Sequence, residues 1–528
     1  MKLTAIAKGG TSAKGGTSAK GGTSLSEAKG VVWLVAMLAS AGASIAAEEK
    51  VPDGQVVRLP VADDPTISFR VWFKVGSQDD PRGKEGLAAL VGAMLADAST
   101  QRLRYEEILD RLFPLAGGYS ASVDAEMTVI SGRIHKDNLA AYYPLLVEAI
   151  LMPAFRQEDL DRLKSKTLNY LENTLRYAGD EELGKAVLYN TIFAGTPYGH
   201  IPEGTIESVR GISLEDLRRF YREHYTRQSV VIGIGGGYDA ATLERLQKDL
   251  AGLGSGRPAP VPPPTPKPIH GRQVVIVEKD APATAISLGF PIPVLRGSRD
   301  WYALAVANSW LGEHRNSSSH LFQVIREARG LNYGDYSYIE HFPHGGQRQM
   351  PPQNAARRQQ IFEIWIRPVP HEARHFALRA AMRELKRLID EGMSQSEFNL
   401  TRKFLKNYVL HYAPTTMERL GYALDDRFYH VDGSHLELFR RRMDEVTREE
   451  VNAAIRKYLQ CENVQIAIVT KGAKACRDAL VADAPSPCQY PTPKPKAILD
   501  EDRLIGEFPL RIKPESVHVV PLEKLFVK

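Results

Sequence analysis

The feature that most constrains this chain is an internal duplication. Residues 252–273 are rich in Pro and Gly, a composition that makes a semi-rigid extended linker. The segments on either side follow the same succession of patterns. The first predicts strands over 55–61 and 67–75, helices over 85–97 and 104–113, then strands over 119–123 and 128–134. The second predicts strands over 273–278 and 283–290, helices over 300–311 and 320–328, then strands over 333–339 and 360–367. Long helices follow in both. Asp159-Leu160 and Glu397-Phe398 stand at the same offset as Asn169-Tyr170 and Asn407-Tyr408. Near the end of each half a Ser or Thr precedes an acidic residue by three, Ser213 with Asp216 and Thr447 with Glu450, a capping-box pattern. Each leads into an apolar strand beginning at Val230 or Val464. Strands 68–75 and 362–369 read as alternating faces.

This pattern predicts an α+β fold of two homologous domains, each a mostly antiparallel sheet covered by helices, facing each other as a clam-shell. The expected divisions are 1–47, 48–251, the linker 252–273, 274–485, and a strand-rich tail 486–528 packed on the second half.

Of 528 residues, 43% are hydrophobic and 25% charged, which excludes collagen-like, disordered and polytopic membrane classes. The formal net charge is +5. The first 47 residues hold five lysines against Glu27 and account for most of it, so the remainder has no electrostatic footprint for nucleic acid. Lys29, the uncharged apolar run 31–47 and the small residues Ala43 to Ala47 read as a secretory signal cleaved near Ala46 or Ala47. The other reading of the same run is an uncleaved membrane anchor. Before it, Ala-Lys-Gly-Gly-Thr-Ser occurs three times, at 7–12, 13–18 and 19–24, with no capacity to form a core. Among three cysteines, Cys476 and Cys488 are the expected disulfide pair and Cys461 a core thiol.

Several catalytic patterns are absent: no phosphate loop, no G-x-S-x-G elbow, and no third glycine after Gly233-x-Gly235, where Tyr238 stands. His371-Glu372-Ala-Arg-His375 fits H-E-x-x-H, which can hold zinc. It follows strand 360–369 through Pro370 as His135-Lys-Asp137 follows strand 128–134, so a plain helix entry with exposed histidines is the competing reading. His314, His320, His341 and His344 read as surface histidines.

The halves resemble those of the pitrilysin/insulinase-like metallopeptidases, which include mitochondrial processing peptidase. The resemblance runs from about Val51 to Leu480. It is carried by Phe193-Ala-Gly-Thr-Pro-Tyr-Gly199, Gly204-Thr-Ile-Glu207, residues 214–225 leading into Val230, and Leu321-Phe-Gln-Val-Ile-Arg-Glu-Ala-Arg-Gly-Leu-Asn-Tyr333. Active members place H-x-x-E-H on the first helix and a glutamate further along as third ligand. The matching positions here hold Ala89, Gly92, Ala93 and Tyr170, so the resemblance implies a chain without its own zinc. It also implies that Arg326 and Tyr333 hold substrate and stabilise the oxyanion, and that the strand carrying Gly118, Tyr119, Ser120 and Ala121 pairs with a substrate strand. Some relatives divide the work between a zinc-bearing chain and an Arg/Tyr-bearing chain. The resemblance therefore points to an exported, periplasmic, non-catalytic subunit whose H-x-x-E-H partner carries the zinc and whose substrate is a peptide. A non-proteolytic peptide-binding or assembly protein, and an autonomous zinc peptidase using His371, Glu372 and His375, are the alternatives. The competing reading of Arg326 is an ion pair with Glu327, and that of Tyr333 is packing in the sheet.

Overall fold

The computed structural model describes residues 50–528, apart from 344 and 346–348. The hexamer repeats, the apolar run 31–47 and His344 lie outside the described residues. No helix among those described is long and apolar enough to cross a membrane.

The first half builds a sheet from β1 (Val56–Pro60), β2 (Thr66–Phe73), β3 (Gly118–Val123), β4 (Thr128–His135) and β5 (Val230–Gly236), in the order β1-β5-β2-β4-β3. The second uses β6 (Arg272–Glu278), β7 (Thr284–Ile292), β8 (Asp335–Tyr338), β9 (Gln360–Val369) and β10 (Val464–Thr470), in the order β6-β10-β7-β9-β8. The two orders are one topology. Within each set of five, only the first pair is parallel, β1 with β5 and β6 with β10; the other pairs are antiparallel. Both capping boxes are formed. Ser213 N–H donates to Asp216 Oδ2 at 2.9 Å, and Thr447 N–H donates to Glu450 Oε2 at 2.9 Å. The glycine-rich end of β5 is a strand-to-helix turn, in which Asp239 caps helix Ala240–Leu250 by accepting from Thr242 N–H at 2.7 Å.

The halves face each other and exchange a helix. Helix Asp180–Ile192 of the first lies on β7 and β10 of the second, with Leu183, Val187 and Leu188 in one core with Val277, Ala285, Ala467 and Val469. Helix Thr416–Tyr429 of the second lies on β1, β2 and β5 of the first, where Leu424 meets Trp72, Val129 and Val231. This exchange overturns the expected alternation in β2 and β9. Both strands are buried almost throughout, because the face that would meet water is covered by the other half's helix.

The tail is not strand-rich. It holds helix Lys496–Gly506 and one strand, β11 (Val517–Pro521), which adds parallel to β6. Nor does it pack on the second half alone. Beyond β11 it crosses to the first half, where Ile206 N–H donates to Phe526 O at 2.8 Å and Glu207 N–H donates to Val527 O at 2.9 Å. The expected Cys476–Cys488 disulfide is not formed: all three cysteines are free thiols, and Cys476, on helix Ala473–Ala482, places Sγ 3.8 Å from His375 Nε2.

Candidate functional site

The first helix of the first half, Leu87–Ala96, starts at Gly86, whose φ of 98° suits glycine. Asp80 fixes that start, accepting from the N–H groups of Gly86 and Ala88 at 2.7 Å each. Burial pushes the Asp80 carboxyl well above the usual carboxylate range. The helix packs closely on β3. A Cβ at Gly92 would lie 2.6 Å from Val123 Cγ2, and Ala121 Cβ and Thr128 Cγ2 are within 3.8 Å. Ala89 and Ala93 are half-buried beside it. Tyr170 opens a π-helical turn, Tyr170–Ala178. Burial, reinforced by the carboxylates of Glu203 and Glu182, raises its hydroxyl pKa, so the proton stays on.

A catalytic zinc site needs three donor side chains and a base. Ala89, Gly92 and Ala93 supply no lone pair, Tyr170 keeps its proton, and the space a glutamate would need at Gly92 is filled by Val123. These residues do not fit the ion.

β3 is one of the two edge strands of the first sheet. Gly118 and Ser120 face solvent, whereas Tyr119 and Ala121 turn toward the core. Among the described residues the strand pairs with β4 alone, and Gly118 O also accepts from the Tyr142 hydroxyl at 2.9 Å.

Arg326 lies in a second π-helical turn, Phe322–Glu327. It donates to Glu327 Oε1 at 2.6 Å, and its guanidinium sits 4.6 Å from the centre of the Phe322 ring. The local ion pair foreseen for Arg326 is thus present. Tyr333 does not pack in the sheet; it precedes β8 and is 78% exposed. Neither residue lines the cavity between the halves.

That cavity, of about 210 Å³, has walls from both halves. Asp124, at the turn between β3 and β4, accepts from Arg357 Nε at 2.8 Å and faces His341 Nε2 at 3.3 Å. Burial raises the Asp124 carboxyl, but Arg357 and His341 outweigh it and hold it below the usual range. Burial, with Arg357 nearby, lowers His341 to about 4, so the ring is neutral at pH 7. Beside them Tyr198 donates to Glu126, which also pairs with Arg358. No sequence pattern marked these residues. The one available signal was the pair of acids, Asp124 and Glu126, in a tight turn opposite the Arg357-Arg358 dipeptide.

The H-E-x-x-H histidines are engaged elsewhere and separately. His371 has Thr284 Oγ1 2.8 Å from Nδ1 and Ala281 O 3.0 Å from Nε2. His375 faces Cys476, and burial lowers it to about 4. Both are half-buried rather than exposed, and no cluster of three metal-binding side chains occurs among the described residues. Nor are His314, His320 and His341 surface residues. His314 is 5% exposed, with Nδ1 2.7 Å from the Tyr338 hydroxyl. His320 stacks on Trp310 and meets Glu384 Oε2 at 2.5 Å.

Residues 57–204 match the insulinase (peptidase family M16) profile, and residues 211–405 match the peptidase M16 inactive domain. An uncharacterized zinc protease of Mycobacterium tuberculosis is 25% identical over 402 residues, 75% of this chain and 86% of the relative. A non-peptidase homolog of Helicobacter pylori is 22% identical over 412 residues, 76% of this chain and 88% of the relative. The fold matches a peptidase M16 inactive domain from Pseudomonas fluorescens at a TM-score of 0.69, with 23% identity, over 79% of this chain and 95% of that one. A protease from Helicobacter pylori matches at 0.64, with 18% identity, over 79% and 96%. With matches in both of its halves, the chain belongs to the insulinase family of peptidases, family M16.

Proposed function

We propose that this chain is the non-catalytic subunit of an exported, periplasmic, heterodimeric zinc peptidase acting on peptides. Its partner carries H-x-x-E-H and the zinc; this chain lends Arg326 and Tyr333. The N-terminal apolar run serves as the signal, or as the anchor. The observation that carries the reading is the contrast between a first-half site closed by Val123 against Gly92 and a Tyr333 hydroxyl standing 78% exposed, open to a second chain. The Arg326–Glu327 pair is no obstacle. Pairs this exposed contribute about 0–1 kcal/mol, so a substrate carbonyl or carboxylate can displace Glu327. The relatives named as zinc proteases, and the one named as a non-peptidase homolog, agree with a family in which catalytic and non-catalytic chains coexist.

The test is reconstitution with a co-purifying H-x-x-E-H chain and a fluorogenic peptide. Tyr333→Phe is expected to lower kcat about a hundredfold, the cost of one oxyanion donor, with KM little changed. A chain that remains alone, or an activity indifferent to both Arg326→Ala and Tyr333→Phe, overturns the proposal. The edge strand β3 favours a second reading, a peptide-binding protein without proteolysis. Peptide binding that is undisturbed by Arg326→Ala, with no cleavage, would favour it.

A further inference from the structure

A second, wider groove, of about 510 Å³, also has walls from both halves. Its lining carries an excess of positive charge. Lys74, just after β2, comes from the first half and Arg257 from the linker. Arg427, on helix Thr416–Tyr429, comes from the second half, with His430 three residues on. The fourth cation of the lining, Arg358, is already used: it pairs with Glu126 and donates to Val261 O at 2.8 Å. The one other carboxyl is Asp79, whose Oδ2 accepts from Gly76 N–H at 2.9 Å and which burial raises to about 6. Among the described residues no carboxylate comes within ion-pair distance of Lys74, Arg257 or Arg427. The Lys74 ammonium has the Trp72 ring 5.9 Å away, and Arg427 donates to Gly54 O. All three side chains are exposed, as is His430, so an ion entering the groove meets them.

The fold holds these cations near one another without enough acid to offset them. Loss of water around the Lys74 ammonium, with repulsion from Arg427 and then Arg257, lowers its pKa. A cleft lined by one sign of charge concentrates counter-ions. The guanidinium forks of two arginines match the oxygens of a phosphate or carboxylate, and a lysine adds a point charge. Three cations from three segments suit an anion of two or more charges better than a single carboxylate. Size agrees. A water takes about 30 Å³ of the liquid, so the groove has room for phosphate groups with part of their hydration shell.

We propose that this groove binds a multivalent oxyanion of the phosphate class through Lys74, Arg257 and Arg427, and that the bound ion ties the two halves and the linker together. Arg326, Tyr333 and the edge strand β3 take no part.

Calorimetric titration of the full chain with pyrophosphate, inorganic phosphate and glycerol 3-phosphate, each against sodium chloride at matched ionic strength, tests it. Pyrophosphate is expected to bind saturably, roughly tenfold tighter than inorganic phosphate, and to raise the melting temperature; chloride should do neither. Lys74→Gln and Arg427→Gln should each weaken pyrophosphate about tenfold. Lys403→Gln, at an exposed lysine outside the groove, should leave the affinity unchanged. Glycerol 3-phosphate bound as well as inorganic phosphate identifies phosphate esters as ligands, and its rejection identifies the free ion; both outcomes support the site. Equal stabilisation by chloride and pyrophosphate, no saturation at millimolar concentration, or an affinity unchanged in both Lys74→Gln and Arg427→Gln overturns the proposal. So does a loss in Lys403→Gln as large as that in Lys74→Gln, which would reflect net charge alone. Should a variant fail to fold, the comparison of pyrophosphate with chloride in the unaltered chain decides alone.

Discussion

Gly92 and Val123 show how little room the first helix leaves against β3. Replacing Gly92 with Ala brings helix propensity worth about 1 kcal/mol but drives a methyl to 2.6 Å from Val123 Cγ2. Overpacking costs about 1–3 kcal/mol, so Gly92→Ala should lower the denaturant midpoint by the equivalent of about 1 kcal/mol net. Val123→Ala in the same chain should cancel part of that loss, a coupling measurable in a double-mutant cycle. A stabilised Gly92→Ala chain would show that β3 yields freely. His375 allows a second test. Burial lowers it to about 4 in the fold, whereas an unfolded histidine titrates near 6.5. Between those values the unfolded chain binds the proton and the native chain does not, so this group's contribution is lost as pH falls from about 6.5 toward 4. The His375→Gln chain should therefore lose less stability than the parent between pH 6.5 and 4.5, as read by chemical denaturation at each pH. Identical slopes would place the proton elsewhere. The pair His371 and His375 is also where sequence reasoning meets its limit. The motif is visible, but nothing local tells that Thr284 and Ala281 occupy one ring and Cys476 the other.

Elements were far more legible than side-chain partners. Ser213 with Asp216, and Thr447 with Glu450, are local signals, and both caps form where the spacing puts them. The duplicated order of strands was legible because matched halves bury matched strands. The exchange of helices was not. The apolar residues of helix Asp180–Ile192 announce that it is buried, yet the sequence does not say on whose sheet. Lys185 is the residue this placement explains. It is 5% exposed, 3.6 Å from a fully buried Glu363, and its Nζ lies 4.5 Å from the centre of the Tyr338 ring and 4.7 Å from that of Trp365. A lysine of one half thus sits in an aromatic box of the other. Lys185→Met leaves Glu363 without its cation and should cost about 3 kcal/mol, toward the lower end of what broken buried pairs cost, because Glu363, already pushed up by burial, can take a proton. Lys185→Met with Glu363→Gln should recover most of the loss in urea denaturation. A single variant as stable as the parent would mean that the rings, rather than the carboxylate, hold the ammonium.

On the scale of the whole molecule, what joins the halves is spread along the chain. The cavity draws its lining from residues between Ser122 and Arg357, so no motif could reveal it. The tail is the other long-range tie. After β11 joins the second sheet, Leu522 and Phe526 are buried in the core of the first half, and Arg176 donates to Leu525 O. Phe526 O and Val527 O accept from Ile206 and Glu207, satisfying two of the N–H groups that helix Ile206–Gly211 leaves unpaired at its start. Burying a Leu or Phe side chain contributes about 1.5–3 kcal/mol, so removal of residues 522–528 should destabilise the first half by several kcal/mol. The exchanged helices remain, and unfolding should stay a single transition at a lower temperature. Hydrogen exchange locates the effect: amides of helix Ile206–Gly211 should lose protection, while β7 and β9 of the second sheet keep theirs until global unfolding. Equal loss in both halves would instead make the tail a support of the entire interface. Unchanged protection at Ile206 and Glu207 would mean that the tail contacts contribute nothing in solution.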